Sequence, residues 1–244
     1  MKKLFLILCL ILLASVEGFA AVTFDTRFEK GFSSQTSPAS YVSNAGDVTG
    51  TVGSGADRIM VCFIYTSGSL TTPAMTWNSS SMTAVGTPLT LGAGFVLYMF
   101  AIDDPASGNQ TLATTWTGGA VDIATGCIAV AGSSGWQNPN NAGPTTSTAP
   151  TLTITSANGN FAVAALADNN SPSATIGGGA TSAWNERDLN GNFNAGYLAS
   201  SSGSTVISWT IGSSVEWGVT GIDLVAAGGG GAVQPRGTLT GILP

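Results

Sequence analysis

Short apolar segments recur every eight to twelve residues along this chain, and Gly, Asn, Ser or Pro residues separate them. After residue 21, no apolar pattern of helical period continues for a useful length. Short strands with turn residues at this spacing are typical of a β-sandwich or a β-barrel. The sequence therefore predicts an all-β protein, and 244 residues suit one such domain or two small ones.

The predicted strands are of two kinds. Residues 59–65 and 95–100 are apolar on both faces, which indicates central strands deep in the core. Residues 152–154 and 207–211 alternate, which indicates one wet face. In the last strand the apolar residues change parity, so a bulge is expected at or near Gly221. The predicted strands are residues 22–28, 58–65, 74–78, 82–85, 95–102, 111–117, 127–131, 151–155, 161–166, 182–189, 192–198, 205–211 and 215–225.

Composition excludes several functional classes. The chain has no histidine, so a Ser-His-Asp triad, a Cys-His pair and an H-E-x-x-H zinc site are all excluded. It has only seven Lys and Arg residues, and only Lys2 and Lys3 are adjacent. Because contacts with phosphates need clusters of basic residues, nucleic acid is not an expected partner. Six Trp and ten Phe residues supply enough apolar surface for a folded core.

The first 20 residues have the pattern of an export signal. Two lysines precede an unbroken apolar run over residues 4–14, and small residues follow at Gly18 and Ala20. These are the parts of a Sec-type signal peptide, and we expect cleavage after Ala20 or Ala21. The run is shorter than the roughly 20 residues that span a bilayer. We therefore expect a secreted or cell-surface protein with no membrane span after cleavage.

Two cysteines, Cys62 and Cys127, remain after signal cleavage, since Cys9 lies in the apolar run. An even number of cysteines in an oxidising compartment favours a disulfide. Both nevertheless lie in apolar strand-like segments, where a free cysteine packs as a small hydrophobic residue. The sequence leaves both states open, because a bridge requires Cα atoms within about 7 Å.

Residues 132–150 form a long stretch without a strand pattern, and we expect a surface loop of the kind that often carries function. Within it, Trp136 precedes Gln137 and Asn138, whose amides can bond sugar hydroxyls while the indole stacks on a pyranose face. Trp184 is the other aromatic candidate for a ligand site. The alternative is that Trp136 caps the open end of the fold, because large aromatic residues usually bury most of their area.

Glu186 and Asp188 are the candidate catalytic carboxylates. They lie two residues apart on a predicted strand, on one face with Trp184 and about 7 Å apart. Two carboxylates on either side of a sugar are the machinery of glycoside hydrolysis. The Glu-x-Asp-x-x-Glu pattern of laminarinase-like sandwiches is incomplete, since Gly191 stands at its third acid. The alternative is a solvated hairpin that leads into a type I′ turn at Asn190-Gly191.

Residues 188–194 imitate the first half of a calcium loop. Phe193 stands where such a loop needs Gly, and Ala199 stands where it needs the bidentate Glu. A two-residue hairpin explains the Asn and Gly without a metal. We therefore expect no metal site and no cofactor, with calcium on other loops as the alternative.

Residues 228–244 are predicted to be a Gly-rich linker and a short tail outside the domain of residues 21–227. A strand-like piece at residues 238–243 can add to an exposed sheet edge of another molecule, which is a route to self-association. The alternative is an ordinary chain end or junction.

Several segments are similar to those of a widespread secreted bacterial and phage-associated β-sandwich domain. They are residues 52–61, 75–77, 82–85, 95–100 with Pro105, 137–139, 184–187 and 221–224. The resemblance covers residues 46–227 and implies a single antiparallel two-sheet β-sandwich, jelly-roll-like and of the concanavalin type. Such domains are modules of extracellular, adhesive or virion-associated proteins. The resemblance implies no enzymatic activity and no site residues, and Cys62 and Cys127 stand where small aliphatic residues are expected.

These patterns lead to one expected function and two alternatives. We expect a secreted, non-catalytic β-sandwich with a role in surface attachment or assembly and weak binding of a glycan or another cell-surface ligand. The first alternative is a carbohydrate-active hydrolase that uses Glu186 and Asp188. The second is a structural subunit of a filament or virion that is linked through the tail.

Overall fold

The computed structural model describes residues 21–92, 94–188, 191–201 and 203–228. The predicted signal peptide and the predicted tail beyond Gly228 lie outside these residues, as does the side chain of Asp188. The described residues contain no helix. Their strands are β1 (Thr23–Gln35), β2 (Ala39–Val42), β3 (Arg58–Thr66), β4 (Thr71–Trp77), β5 (Ser80–Ser81), β6 (Thr83–Ala84), β7 (Leu89–Thr90), β8 (Val96–Asp103), β9 (Thr111–Thr117), β10 (Val121–Ala131), β11 (Ser133–Ser147), β12 (Thr151–Thr155), β13 (Phe161–Asp168), β14 (Ala174–Gly177), β15 (Thr181–Asp188), β16 (Gly191–Ala199), β17 (Ser204–Ile211) and β18 (Val215–Ala226).

The strands pair into four antiparallel sheets, so the all-β prediction is confirmed. The first large sheet has the order β1-β10-β3-β8-β6, with β7 also paired to β8. The first small sheet is β2-β9-β4-β5, the second large sheet is β11-β18-β13-β16-β15, and the second small sheet is β12-β17-β14. The described strands thus form two pairs of sheets where the sequence predicted one pair.

Three apolar cores separate these sheets. The central core lies between the two large sheets and includes Phe63, Tyr65, Trp184 and Phe193. The first outer core lies between the first large and first small sheets, and the second outer core lies between the second large and second small sheets. The order of layers is therefore small, large, large, small. Because β3 and β8 face two cores each, almost every residue on them is buried, as their apolar composition predicts.

The two halves of the chain repeat one topology. β1-β10-β3-β8 in the first large sheet corresponds to β11-β18-β13-β16 in the second. In the small sheets, β2-β9-β4 corresponds to β12-β17-β14. The strands of each half therefore join the large and the small sheet in the same order along the chain. The halves differ mainly between β4 and β8 in the first half and between β14 and β16 in the second, where the first half has β5–β7 and the second half has β15.

Individual residues follow this repeat. Ser43 and Ser156 each follow the second strand of their half, and their amides donate to the carbonyls of Gln110 and Gly203 just before β9 and β17. Trp116 and Trp209 point inward from those strands. The single residue Gly132, at a φ of 74°, joins the last strand of one half to the first strand of the next.

Both ends of the described chain lie at one pole of the stack. The amide of Val22 donates to the carbonyl of Gly159 at 3.3 Å, and the amide of Ala227 donates to that of Gly132 at 2.8 Å. Val22 is itself buried in the central core. We call this end the terminal pole, because the residues that precede Ala21 and those that follow Gly228 join the fold there.

Two local expectations are wrong. Residues 132–150 were expected to be a loop, but β11 is the longest strand of the structure, and three register shifts along its pairing with β18 accommodate its irregular sequence. β18 itself carries no bulge at Gly221, because it pairs with β13 in unbroken register, and the register shift beside Gly221 in its pairing with β11 places the extra residue on β11. The change of apolar parity arises because β18 faces the second outer core with Val219 and the central core with Ile222.

Gly191, which the sequence predicts in the turn between β15 and β16, is a strand residue in the structure. Asp188 pairs with Gly191, so the two connecting residues are 189 and 190, which lie outside the described residues. Gly191 is the first residue of β16. A Cβ atom there would collide with the carbonyl oxygen of Asp168 and lie 2.7 Å from the hydroxyl of Tyr65. Close packing, rather than a type I′ turn, therefore requires glycine at this position.

Candidate functional site

The amide-rich segment nominated for glycan binding lies along β11, at an edge of the second large sheet. Each amide nitrogen already donates to an internal acceptor. Gln137 donates to Asp223 at 2.9 Å, Asn138 donates to the carbonyl of Thr155 at 2.9 Å, and Asn140 donates to that of Thr153 at 2.8 Å. The hydrogen bonds of Asn138 and Asn140 therefore satisfy two backbone carbonyls of β12, an edge strand of the second small sheet. These amides therefore tie the second large sheet to the second small sheet.

The carboxylate of Asp223 is the centre of a buried polar cluster. Ser156 donates to one carboxylate oxygen at 2.5 Å, and Asn160 and Gln137 donate to the other at 2.6 and 2.9 Å. Ser200 lies 2.6 Å from Ser156. Burial raises the pKa of Asp223, and these hydrogen bonds offset part of that increase. These hydrogen bonds tie the segments that carry Gln137, Ser156 and Asn160 to β18.

The two tryptophans of the predicted ligand site do not form a common surface. Trp184 is only 2% exposed, and its ring packs against Phe63 and Phe193 in the central core. In this structure Trp184 is therefore a core residue. Trp136 is half-buried on β11, opposite Leu224, and packs against the side of the same core. This position fits the alternative in which Trp136 covers an open side of the fold.

With the geometry described, the chain can be compared with known proteins. Comparisons with protein-family models, curated proteins and solved structures found no match. The resemblance to a secreted β-sandwich family therefore stays a prediction.

The candidate carboxylate pair lies at the outer edge of the second large sheet. Glu186 is half-buried on β15 and pairs with Phe193 of β16. Asp188 ends the same strand, but its side chain is outside the described part of the chain. Hydrolysis by Glu186 and Asp188 stays an alternative prediction.

The segment that imitates a calcium loop is a strand pair in the structure. Asn192 and Asn194 lie on β16, and both are buried. Asn192 donates to the carboxylate of Asp168 at 2.8 Å, so that carboxylate is engaged within the fold. Among the described residues, no group of three or more Cys, Asp or Glu residues is placed to hold a metal.

Cys62 and Cys127 are bonded to each other in the structure. They face each other directly across the β3–β10 pair, with Cα atoms 4.0 Å apart, inside the first outer core. In the second half, the middle inward-facing residues of the equivalent strands are Ala164 and Gly221. The repeat therefore carries a covalent link in only one of its two copies.

In the described ranges there is also no helix long and apolar enough to cross a membrane.

The sequence did not point to the outer faces of the two small sheets, which are exposed on opposite sides of the stack. On β12, Thr151, Thr153 and Thr155 point outward, and Val206 on the neighbouring strand lies opposite Thr153. On the first small sheet, Val42 lies opposite Thr111 in the same way. The T-x-T-x-T pattern of β12 was the available signal, but strand pairing was needed to show that these side chains form a surface.

Proposed function

We propose that this protein is an exported, non-catalytic attachment or assembly module, in which each half of the chain is a jelly-roll-like two-sheet β-sandwich. The repeated sheet order supports the sandwich description, because each large sheet shares an apolar core with its own small sheet. The non-catalytic role is supported by the internal hydrogen bonds of Asp223 and Asp168, which bind to neighbouring strands.

The observation that carries the attachment role is the position of both chain ends at the terminal pole. Val22 bonds to Gly159, Ala227 bonds to Gly132, and the Cβ position of Gly159 lies 3.9 Å from Ala226. A module joined to other material through one pole presents its sides and its opposite pole to the surroundings. Its rigid β-structure is suited to holding those surfaces at a fixed orientation.

The expected ligand is a neutral glycan or another uncharged component of a cell surface. The described strands carry few charges, and an uncharged polysaccharide requires none for recognition. Trp136 contributes at most the exposed part of its ring, because the remainder packs on the central core.

A glycan array with the mature protein of residues 21–244 tests this proposal. Binding without release of reducing sugar is the expected result. Release of reducing sugar that is lost in Glu186→Gln would contradict the non-catalytic role and favour the hydrolase. Polymerisation that increases with protein concentration, and is lost when residues 229–244 are removed, would instead favour a filament subunit.

Trp136→Ala separates recognition from support within the same experiment. If the indole mainly covers the core, the variant loses about 2 kcal/mol of unfolding free energy, somewhat less than a fully buried tryptophan. Its glycan binding at a temperature where it remains folded should then equal that of the wild type. A loss of binding with unchanged stability would place the ligand site at Trp136.

A further inference from the structure

Charges are segregated within this fold. Asp25, Arg27, Glu29 and Lys30 lie on β1, and Glu186 lies on β15. By contrast, none of the seven strands of the two small sheets carries an Asp, Glu, Lys or Arg residue. The outward positions of these strands are mostly Thr, Ser and Ala.

Apolar exposure is concentrated on the same two faces. Among the residues that the structure describes, the exposed large hydrophobic side chains are Val42 at 38% and Val206 at 45%. Val42 lies on the outer face of the first small sheet, and Val206 lies on that of the second. Threonine alone is common on strands because β-branched residues favour them. The feature that the two outer faces share is a threonine-rich surface without charged strand residues, with one exposed valine on each.

We infer that these two outer faces, which carry Val42 and Val206, are twin binding surfaces for a neutral polysaccharide. This inference rests on the proposed attachment role and names the surface and partner for it. Threonine and valine methyl groups offer apolar contacts to the C–H faces of sugar rings. The threonine hydroxyls can donate hydrogen bonds to sugar hydroxyls and accept hydrogen bonds from them. Placing such a surface against a charged polymer would gain nothing from charge pairing.

The size of each face favours a thin polymer over a second copy of the chain. The strands of the second small sheet are five, eight and four residues long, and those of the first are four, seven, seven and two. At about 3.3 Å per residue and about 4.8 Å between strands, each face covers roughly 300 Å². A stable protein–protein contact needs about 800 Å² from each partner. A face of this size can hold a few sugar units of a linear chain, and repeated contacts along the polymer then add to the affinity.

The layer order makes the protein bivalent. The two faces lie at opposite ends of a stack of four sheets, with about 10 Å between successive sheets, so about 30 Å separates the outermost sheets. The faces point away from each other and cannot both contact one straight polymer segment. The protein should therefore link separate polysaccharide chains.

The test uses the full mature chain with Val42→Lys, Val206→Lys, both together, and Ser214→Lys as the control. Ser214 is exposed on the connection between β17 and β18 and belongs to no strand of either small sheet. Depletion onto microcrystalline cellulose and chitin measures binding, turbidity with a soluble neutral β-glucan measures cross-linking, and thermal unfolding checks the fold. The wild type and Ser214→Lys should bind equally.

Each single-face variant should keep binding within about threefold while its cross-linking is lost, and the double variant should lose binding at least about tenfold. Wild-type binding in the double variant would overturn this inference and leave the attachment role on another surface. No binding of the wild type to any of these polysaccharides would also overturn this inference, and the attachment role would be overturned as well only if the glycan array showed no binding. Polymerisation of the wild type without polysaccharide that is abolished in the double variant would make a second copy the occupant.

Discussion

At the scale of single residues, several glycines are required by contacts between elements. The Cβ position of Gly126 would lie 2.5 Å from the ring of Trp184, so this glycine on the first large sheet makes room for a tryptophan of the second. Gly221 likewise lies against the carbonyl of Val163 and the side chain of Leu152. These glycines allow sheets to pack closely, and a bulge or turn is not involved.

Replacing Gly191 should show this directly. Gly191→Val should lower the unfolding free energy by about 3 kcal/mol or more, because its side chain overlaps the carbonyl of Asp168 and the hydroxyl of Tyr65. Gly119→Ala is the matched control, since nothing lies within 4 Å of its Cβ position. Urea denaturation of both variants measures the difference, and equal stability of the two would contradict the packing explanation.

The buried carboxylate of Asp223 leads to a prediction about pH. Because burial raises its pKa above the ordinary value of 3.8, the folded state binds the proton more tightly than the unfolded state. The contribution of this group to stability is fully present below the unfolded pKa and is lost as the pH rises through the folded pKa. Asp168 shifts in the same direction for the same main cause.

The unfolding free energy, measured between pH 3.5 and 7, should therefore include a component that decreases as the pH rises. In Asp223→Asn that component should become smaller, because one of the two shifted groups no longer titrates. An identical pH dependence in wild type and variant would show that the Asp223 carboxyl is not shifted.

At the scale of secondary structure, apolar and alternating strands were predictable from the sequence, and the irregular strand β11 was not. Residues 58–65 and 95–102 match β3 and β8 closely, because strands buried on both faces need continuous apolar sequence. β11 contains Pro139, Pro144 and several Asn residues, so local preference favours a loop. It becomes a strand through its pairing with β18, and that partner is not visible in the local sequence.

The cross-strand disulfide gives a prediction at this scale. It closes a loop of 65 residues, so its removal should cost about 4 kcal/mol if the loss is chiefly the entropy of the unfolded chain. Cys62→Ala alone and Cys62→Ala with Cys127→Ala should lose about the same amount, because either breaks the bridge. Urea denaturation measures both, and a loss well below 1 kcal/mol would indicate that the cysteines are not bonded in solution.

At the scale of the whole molecule, the central core belongs to both halves. The rings of Phe63 and Trp184 lie 6.4 Å apart across it, and those of Tyr65 and Phe193 lie 5.9 Å apart. The hydroxyl of Tyr65 also donates to the carbonyl of Asp168 at 3.0 Å. Either half alone would expose the apolar face of its large sheet to water.

Residues 21–131 expressed alone should therefore form no stable monomer, and they should bind a hydrophobic dye and aggregate. The full mature chain should unfold in one cooperative transition in calorimetry, because the shared core couples the halves. Two resolved transitions, or a stable monomeric half, would contradict this coupling.

The sequence allowed one large domain or two small ones but did not reveal the repeat. The halves share a topology while their core residues differ, as at Cys62 and Cys127 against Ala164 and Gly221. Sheet order depends on contacts between distant residues, and inward-facing positions tolerate many apolar side chains. Trp136 and Trp184 were candidates for glycan binding because of their residue type alone. The packing of the structure shows that Trp184 is buried and that Trp136 is half-buried.

The terminal pole also determines how the molecule responds to mechanical force. If its two ends are pulled apart, the load enters β1 at Thr23 and β18 at Ala226 from the same pole. Hydrogen bonds at that pole then break one after another, as in unzipping, since strands loaded this way do not slide in parallel. Tension should open the junction around Gly132 first. The disulfide between Cys62 and Cys127 stays intact under this load, so the chain between the two cysteines cannot be extended, and this limits how far the first half can lengthen.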